Sequence, residues 1–134
     1  MREEPKGEFT LKGPDGRDVV MFSERLLGDT LHEISERHDL SIERVRQVIA
    51  LHATRHLNEL EIALLVARKE GNVLALRVPF EQPDQDRELA LAYFQWAVAQ
   101  LKKRDLELRV VPSVDSEGPV LYIDDVTDYG GPNQ

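Results

Sequence analysis

The chain of 134 residues contains no cysteine, so disulfides, thiolate metal sites and a cysteine nucleophile are excluded together, and burial and hydrogen bonding must hold the fold. It has a single tryptophan and two methionines. No apolar run approaches the roughly 20 residues that a membrane span needs, so no membrane role is expected. The start, MREEPKGEF, lacks the apolar core of a secretory signal, which makes the cytoplasm the expected location. Missing too are a phosphate-cradling glycine loop, a Gly-x-Ser-x-Gly elbow and a His-Glu-x-x-His pair. No residue set asks to be an active site, so the reading is a non-enzyme without a cofactor.

What is present is ordinary for a globular domain: 41% hydrophobic and 31% charged residues, with a net charge of −8. That charge is unevenly spread. Residues 1–22 carry 4 basic and 5 acidic groups, 23–58 carry 5 and 6, and 59–134 carry 8 and 14. DNA affinity comes largely from neutralising phosphates, so the acidic C-terminal half would have to point away from a duplex.

Along the chain, Phe9 and Leu11, the turn formers Pro14-Asp15-Gly16, and Val19 to Phe22 predict a β-hairpin arm over 1–22. A short helix is expected at SERLLG, capped by Ser23 and closed by Gly28. Thr30-x-x-Glu33 is a capping box that opens a helix over about 31–38, and Ser41 caps the next, over 42–57. On that helix Val45, Val48, Ile49, His52 and His56 fall on one side. Glu43, Gln47, Ala50 and Thr54 lie opposite, with Arg44 and Arg46 flanking.

After residue 58, ELEIALLVARKEGNVLALRVPF reads as a hairpin about Lys69-Glu70-Gly71-Asn72, with a helix over 59–68 as the competing assignment. Pro79 and Pro83 break the chain, and Asp84 is expected to cap a helix ending near Arg104. Leu89, Tyr93, Phe94, Trp96, Ala97 and Leu101 cover more than a narrow stripe of it, which points to deep burial, Trp96 included, or to sharing with a second copy in a homodimer. LELRVVPSV and GPVLYIDDV form a closing hairpin, and 128–134 a mobile tail. The expected class is α+β: the arm at 1–22, a helix-turn-helix at 23–58, and a hairpin-helix-hairpin unit at 59–127 for dimerisation or partner binding.

From Thr30 to Ala50, TLHEISERHDLSIERVRQVIA resembles the helix-turn-helix of region 4 in bacterial sigma factors. A Thr-Leu-x-Glu-Ile opening leads there through a short turn to a Ser- or Thr-capped helix reading Glu-Arg-Ile/Val-Arg-Gln. The resemblance implies that Glu43, Arg44 and Gln47 reach base edges in the major groove of promoter DNA, with Arg46 on phosphate or packing. The chemistry suits this, since Arg pairs with guanine, Gln with adenine, and Glu accepts from cytosine. Two departures stand out. Asp39 occupies the turn where the family favours glycine, and the family's basic run past the second helix is replaced by His52, Arg55 and His56.

The expected function is a transcription regulator that contacts double-stranded promoter DNA. The alternative is an acidic modulator, of bacterial or phage type, that uses the same surface to engage RNA polymerase or a sigma factor. A metal-dependent nuclease built from the histidines and aspartates ranks below both. His52 and His56 have ligand spacing but lie on the apolar side with no glutamate between them, so half-buried packing is the expectation and no metal site is assigned. Asp124, Asp125 and Asp128 read as a solvated strand end.

Overall fold

The computed structural model describes residues 7–10, 16–78 and 83–129. Its elements run β1 (Gly7–Thr10), α1 (Gly16–Leu26), α2 (Leu31–His38), α3 (Ile42–Lys69), β2 (Leu74–Arg77), α4 (Pro83–Lys103), β3 (Leu108–Asp115) and β4 (Gly118–Asp125). The class is α+β, with one sheet of order β1-β2-β4-β3 among the described residues. β1 pairs parallel with β2, Gly7 opposite Leu74, while β4 runs antiparallel to both β2 and β3.

The N-terminal strand is therefore an edge of the sheet, and the second limb expected of a hairpin arm is helical. Val19 to Phe22 belong to α1, which starts well before Ser23. Adjacent Met21 and Phe22 are both buried, Met21 against Ile34 and Val45, Phe22 against the main core. A strand would turn them to opposite faces, whereas a helix aims both at its neighbours. Leu11, Pro14 and Asp15 lie outside the described residues. Gly28, at φ 106°, ends α1 in a conformation that side chains resist.

The hairpin expected after residue 58 is also corrected. α3 continues to Lys69, 28 residues in all, straight through position 58 where the sequence suggested a boundary. Its buried residues include Val45, His52, His56, Leu60, Leu64 and Ala67, a spacing of three, four and seven that a helix brings to one face. Alanine, leucine, glutamate and arginine favour that outcome intrinsically. The chain turns at Gly71, φ 74°, into β2, whose four residues are all buried.

α4 begins with Pro83 at its first position, where a missing N–H costs nothing, so Asp84 sits inside the helix instead of capping it. Pro79 and the Asp84 side chain lie outside the described residues. Ala90, Tyr93, Phe94, Ala97 and Leu101 are buried against Leu60, Leu64, Leu74, Leu76, Leu121 and Ile123. The breadth of α4 is thus used within one molecule. Trp96 is only partly buried, its ring set edge-on to Phe22 at 4.8 Å, and Tyr93 is the buried anchor instead.

β3 and β4 form the expected closing hairpin, and of the three carboxylates read as a solvated strand end Asp128 is exposed and Asp124 partly so, but Asp125 is not. Asp125 is buried, accepting from Thr127 N at 3.0 Å and Tyr129 Oη at 2.6 Å, with Arg68 Nη1 3.5 Å away. Burial alone would raise this carboxyl; the bonds from Thr127 and Tyr129 and the charge of Arg68 outweigh it and lower its pKa. Arg68 also donates to Thr127 O and lies over the Tyr129 ring, so residues 127–129 are strapped to α3. Residues 130–134 lie outside the described residues.

Candidate nucleic-acid interface

Local hydrogen bonds build the helix-turn-helix. Thr30 Oγ1 accepts from Glu33 N at 3.1 Å while Glu33 Oε1 accepts from Thr30 N at 2.8 Å, completing the capping box. α2 ends at Asp39 with φ 56°, the left-handed conformation that aspartate tolerates. Ser35 fastens the turn, its Oγ donating to Leu40 O at 2.6 Å. Ser41 then caps α3, accepting from Arg44 N at 3.1 Å. Three residues, 39–41, therefore separate the two helices. Met21, Ile34 and Val45, each 0% exposed, lock α1, α2 and α3 together beneath the turn.

α1 is also tied to α2 by charge. Glu24 lies 2.8 Å from His38 Nε2 and 2.9 Å from Arg37 Nη1, and Arg37 reaches Asp29 at 2.9 Å. Arg17 donates to His38 O at 3.3 Å. These fixings present the opening turns of α3 as a rigid face.

Glu43, Arg44, Arg46, Gln47, Ala50 and Thr54 are all exposed, as the helical wheel anticipates. Arg46 is held by Glu43, at 2.9 and 3.2 Å, an exposed pair of the kind that contributes little stability and exchanges partners readily. Arg44 and Arg55 form no ion pair among the described residues. Arg44 also lines a small cleft with Arg17, Asp18, Met21, Leu40 and Val48. Sequence reasoning placed Arg17 and Asp18 in a hairpin and so missed their approach to the face; nothing local signals it.

Behind this face the histidines are buried more deeply than half-buried packing implies, His52 at 3% and His56 at 2% exposure. His56 Nε2 shares a hydrogen bond with Tyr93 Oη, whereas neither ring nitrogen of His52 has a partner. Phe22 packs on both imidazoles, and Phe9 and Trp96 on His56. Burial, reinforced by His52, lowers His56 to about 4; burial likewise lowers His52. Among the described residues no group of three or more histidines and carboxylates lies close enough to hold a metal ion. No helix there is long and apolar enough to cross a membrane.

No known family, characterised protein or solved structure matches the chain in comparison, so the meaning of this face rests on its geometry.

Proposed function

We propose that the chain is a transcription regulator that binds double-stranded promoter DNA through the first turns of α3 and performs no catalysis. The observation that carries this reading is the row Glu43, Gln47, Ala50 and Thr54, exposed along one side of a helix whose opposite side is anchored by Val45. Arg44 is free to pair bidentately with guanine and Gln47 with adenine. Glu43 accepts from cytosine once Arg46 turns to a phosphate, an exchange that costs little at an exposed pair.

A second reading has its own support. Two arginines near the face are engaged by carboxylates of the same unit, Arg37 by Glu24 and Asp29 and Arg46 by Glu43, so little positive charge is left for phosphate. A protein surface on RNA polymerase or a sigma factor would suit such a face. Selection of bound fragments from a random DNA pool at two salt concentrations separates the two. The DNA reading expects an enriched motif that Gln47→Ala degrades at one or two base positions. No motif at either salt, with a polymerase complex that survives nuclease treatment, establishes the protein reading instead.

A further inference from the structure

Beside the row that carries Glu43 and Gln47, α3 exposes a second strip from Leu51 to Val66, and its large side chains are mostly apolar. Leu51 is 60% exposed and Ile62 61%, with Leu65 and Val66 also exposed. Residues 51, 55, 58, 62, 65 and 66 follow helical spacing, so these side chains form one stripe along the helix. Arg55 lies within it and Glu59 at its border, and neither takes part in an ion pair among the described residues. Along the far edge of the stripe, Arg104 Nη1 donates to Asn58 Oδ1 at 3.1 Å and to Glu61 Oε1 at 2.7 Å.

We infer that this stripe packs against the same stripe of a second copy, the two α3 helices antiparallel about a two-fold axis between Asn58 and Glu59. The pattern is self-complementary about that point. Leu51 meets Val66 of the second copy at both ends of the contact, and Arg55 lays its aliphatic stem on Ile62 of the second copy. The Arg55 guanidinium then comes within one turn of the unpaired Glu59 carboxylate of the second copy, twice by symmetry. Asn58, whose carbonyl oxygen is taken by Arg104, keeps its NH2 to donate to that same carboxylate. A parallel pairing would set Arg55 against Arg55 and Glu59 against Glu59, so charge selects the antiparallel arrangement.

The recognition row lies some 80° around the helix from the stripe, estimated at 100° per residue. A two-fold axis perpendicular to the pair keeps both recognition rows on one side. With a rise of about 1.5 Å per residue, the two Gln47 positions fall about 35 Å apart along the pair, which is one turn of B-DNA. This spacing rests on the DNA reading; the pairing itself does not.

The test therefore uses the full chain without DNA. Sedimentation equilibrium should give a mass that rises with concentration to twice that of the 15.3 kDa chain. Ile62→Lys, at an exposed position, should weaken association at least tenfold with an unchanged circular dichroism spectrum. Arg55→Glu and Glu59→Arg should each weaken it, and mixing these two variants should restore a heterodimer, an outcome that misfolding cannot produce. Because the chain has no cysteine, Asn58→Cys should be joined to itself by a short bifunctional maleimide while Glu36→Cys is not. A monomer at all concentrations overturns the proposal and leaves the stripe to a partner of another kind. A dimer that survives Ile62→Lys and shows no Asn58→Cys crosslink overturns it equally. Neither result bears on the DNA selection, whose failure would leave the dimer standing.

Discussion

His56 Nε2 and Tyr93 Oη share a hydrogen bond of 2.5 Å inside a group of rings contributed by β1, α1, α3 and α4. It joins the long helix of the helix-turn-helix to the helix that covers the sheet. The charged groups that act on His52 are Asp18 on α1 and Arg55 and Glu59 on α3.

Acid should loosen this junction. The His56 pKa is about 4 in the folded chain against 6.5 for the free side chain, so the unfolded chain binds the extra proton between those values. Stability is full above about pH 6.5 and falls as pH drops towards 4, by an amount on the order of 3 kcal/mol. Urea unfolding across pH 4–7 measures it, and His56→Phe should flatten the slope. An unchanged slope in that variant would assign the acid sensitivity elsewhere.

His52 offers the converse case. Both ring nitrogens are buried without partners, so His52→Leu removes an unsatisfied polar group from an apolar site. We expect a gain of about 1 kcal/mol at pH 7, or roughly 4 °C in Tm by calorimetry. A loss of stability would mean that a buried water or ion satisfies the ring.

Arg77 ties the sheet edges together. Only 8% exposed, it bonds Glu8 of β1 at 3.1 Å and Asp115 at the β3 end at 2.7 Å, and its guanidinium holds the Asp115 carboxyl down to about 2. Arg77→Met should cost about 1–2 kcal/mol and raise amide exchange in β1. Asp115 adds stability that is present above about pH 3.8 and lost as pH falls towards 2; the variant should lack that second acid step.

If α3 reads DNA, its salt dependence should be shallow. Arg44 is placed on a base edge and Arg55 in the contact between copies, so Arg46, once it leaves Glu43, is the arginine of this face left for phosphate. One phosphate contact per protomer gives a slope of about −1 for each protomer bound in log K against log salt concentration. A fluorescence titration at several salt concentrations measures it, and Arg46→Ala should flatten it by roughly one per protomer. A slope several units steeper would require cations outside this face.

Where each element's signal is local, it is legible in the chain. The Thr30–Glu33 box, the Ser41 cap, the exposed row Glu43, Gln47, Ala50 and Thr54, and the β3–β4 hairpin all depend on residues a few positions apart, and each lies where the spacing predicts. Short apolar runs are different, because a buried helix and a buried strand can use the same residues. Val19 to Phe22 read as a strand and residues 59–68 as a strand with a helix in competition, and their partners made both helical: Met21 and Phe22 answer to Ile34 and Trp96, and Leu60 and Leu64 to α4 and β2. Nothing near Gly7 announces Leu74, and nothing near Asp125 announces Arg68. Side-chain chemistry and helical period thus determined the candidate face. Which apolar residues the core claimed, and which it left exposed along α3, was decided by packing between segments dozens of residues apart.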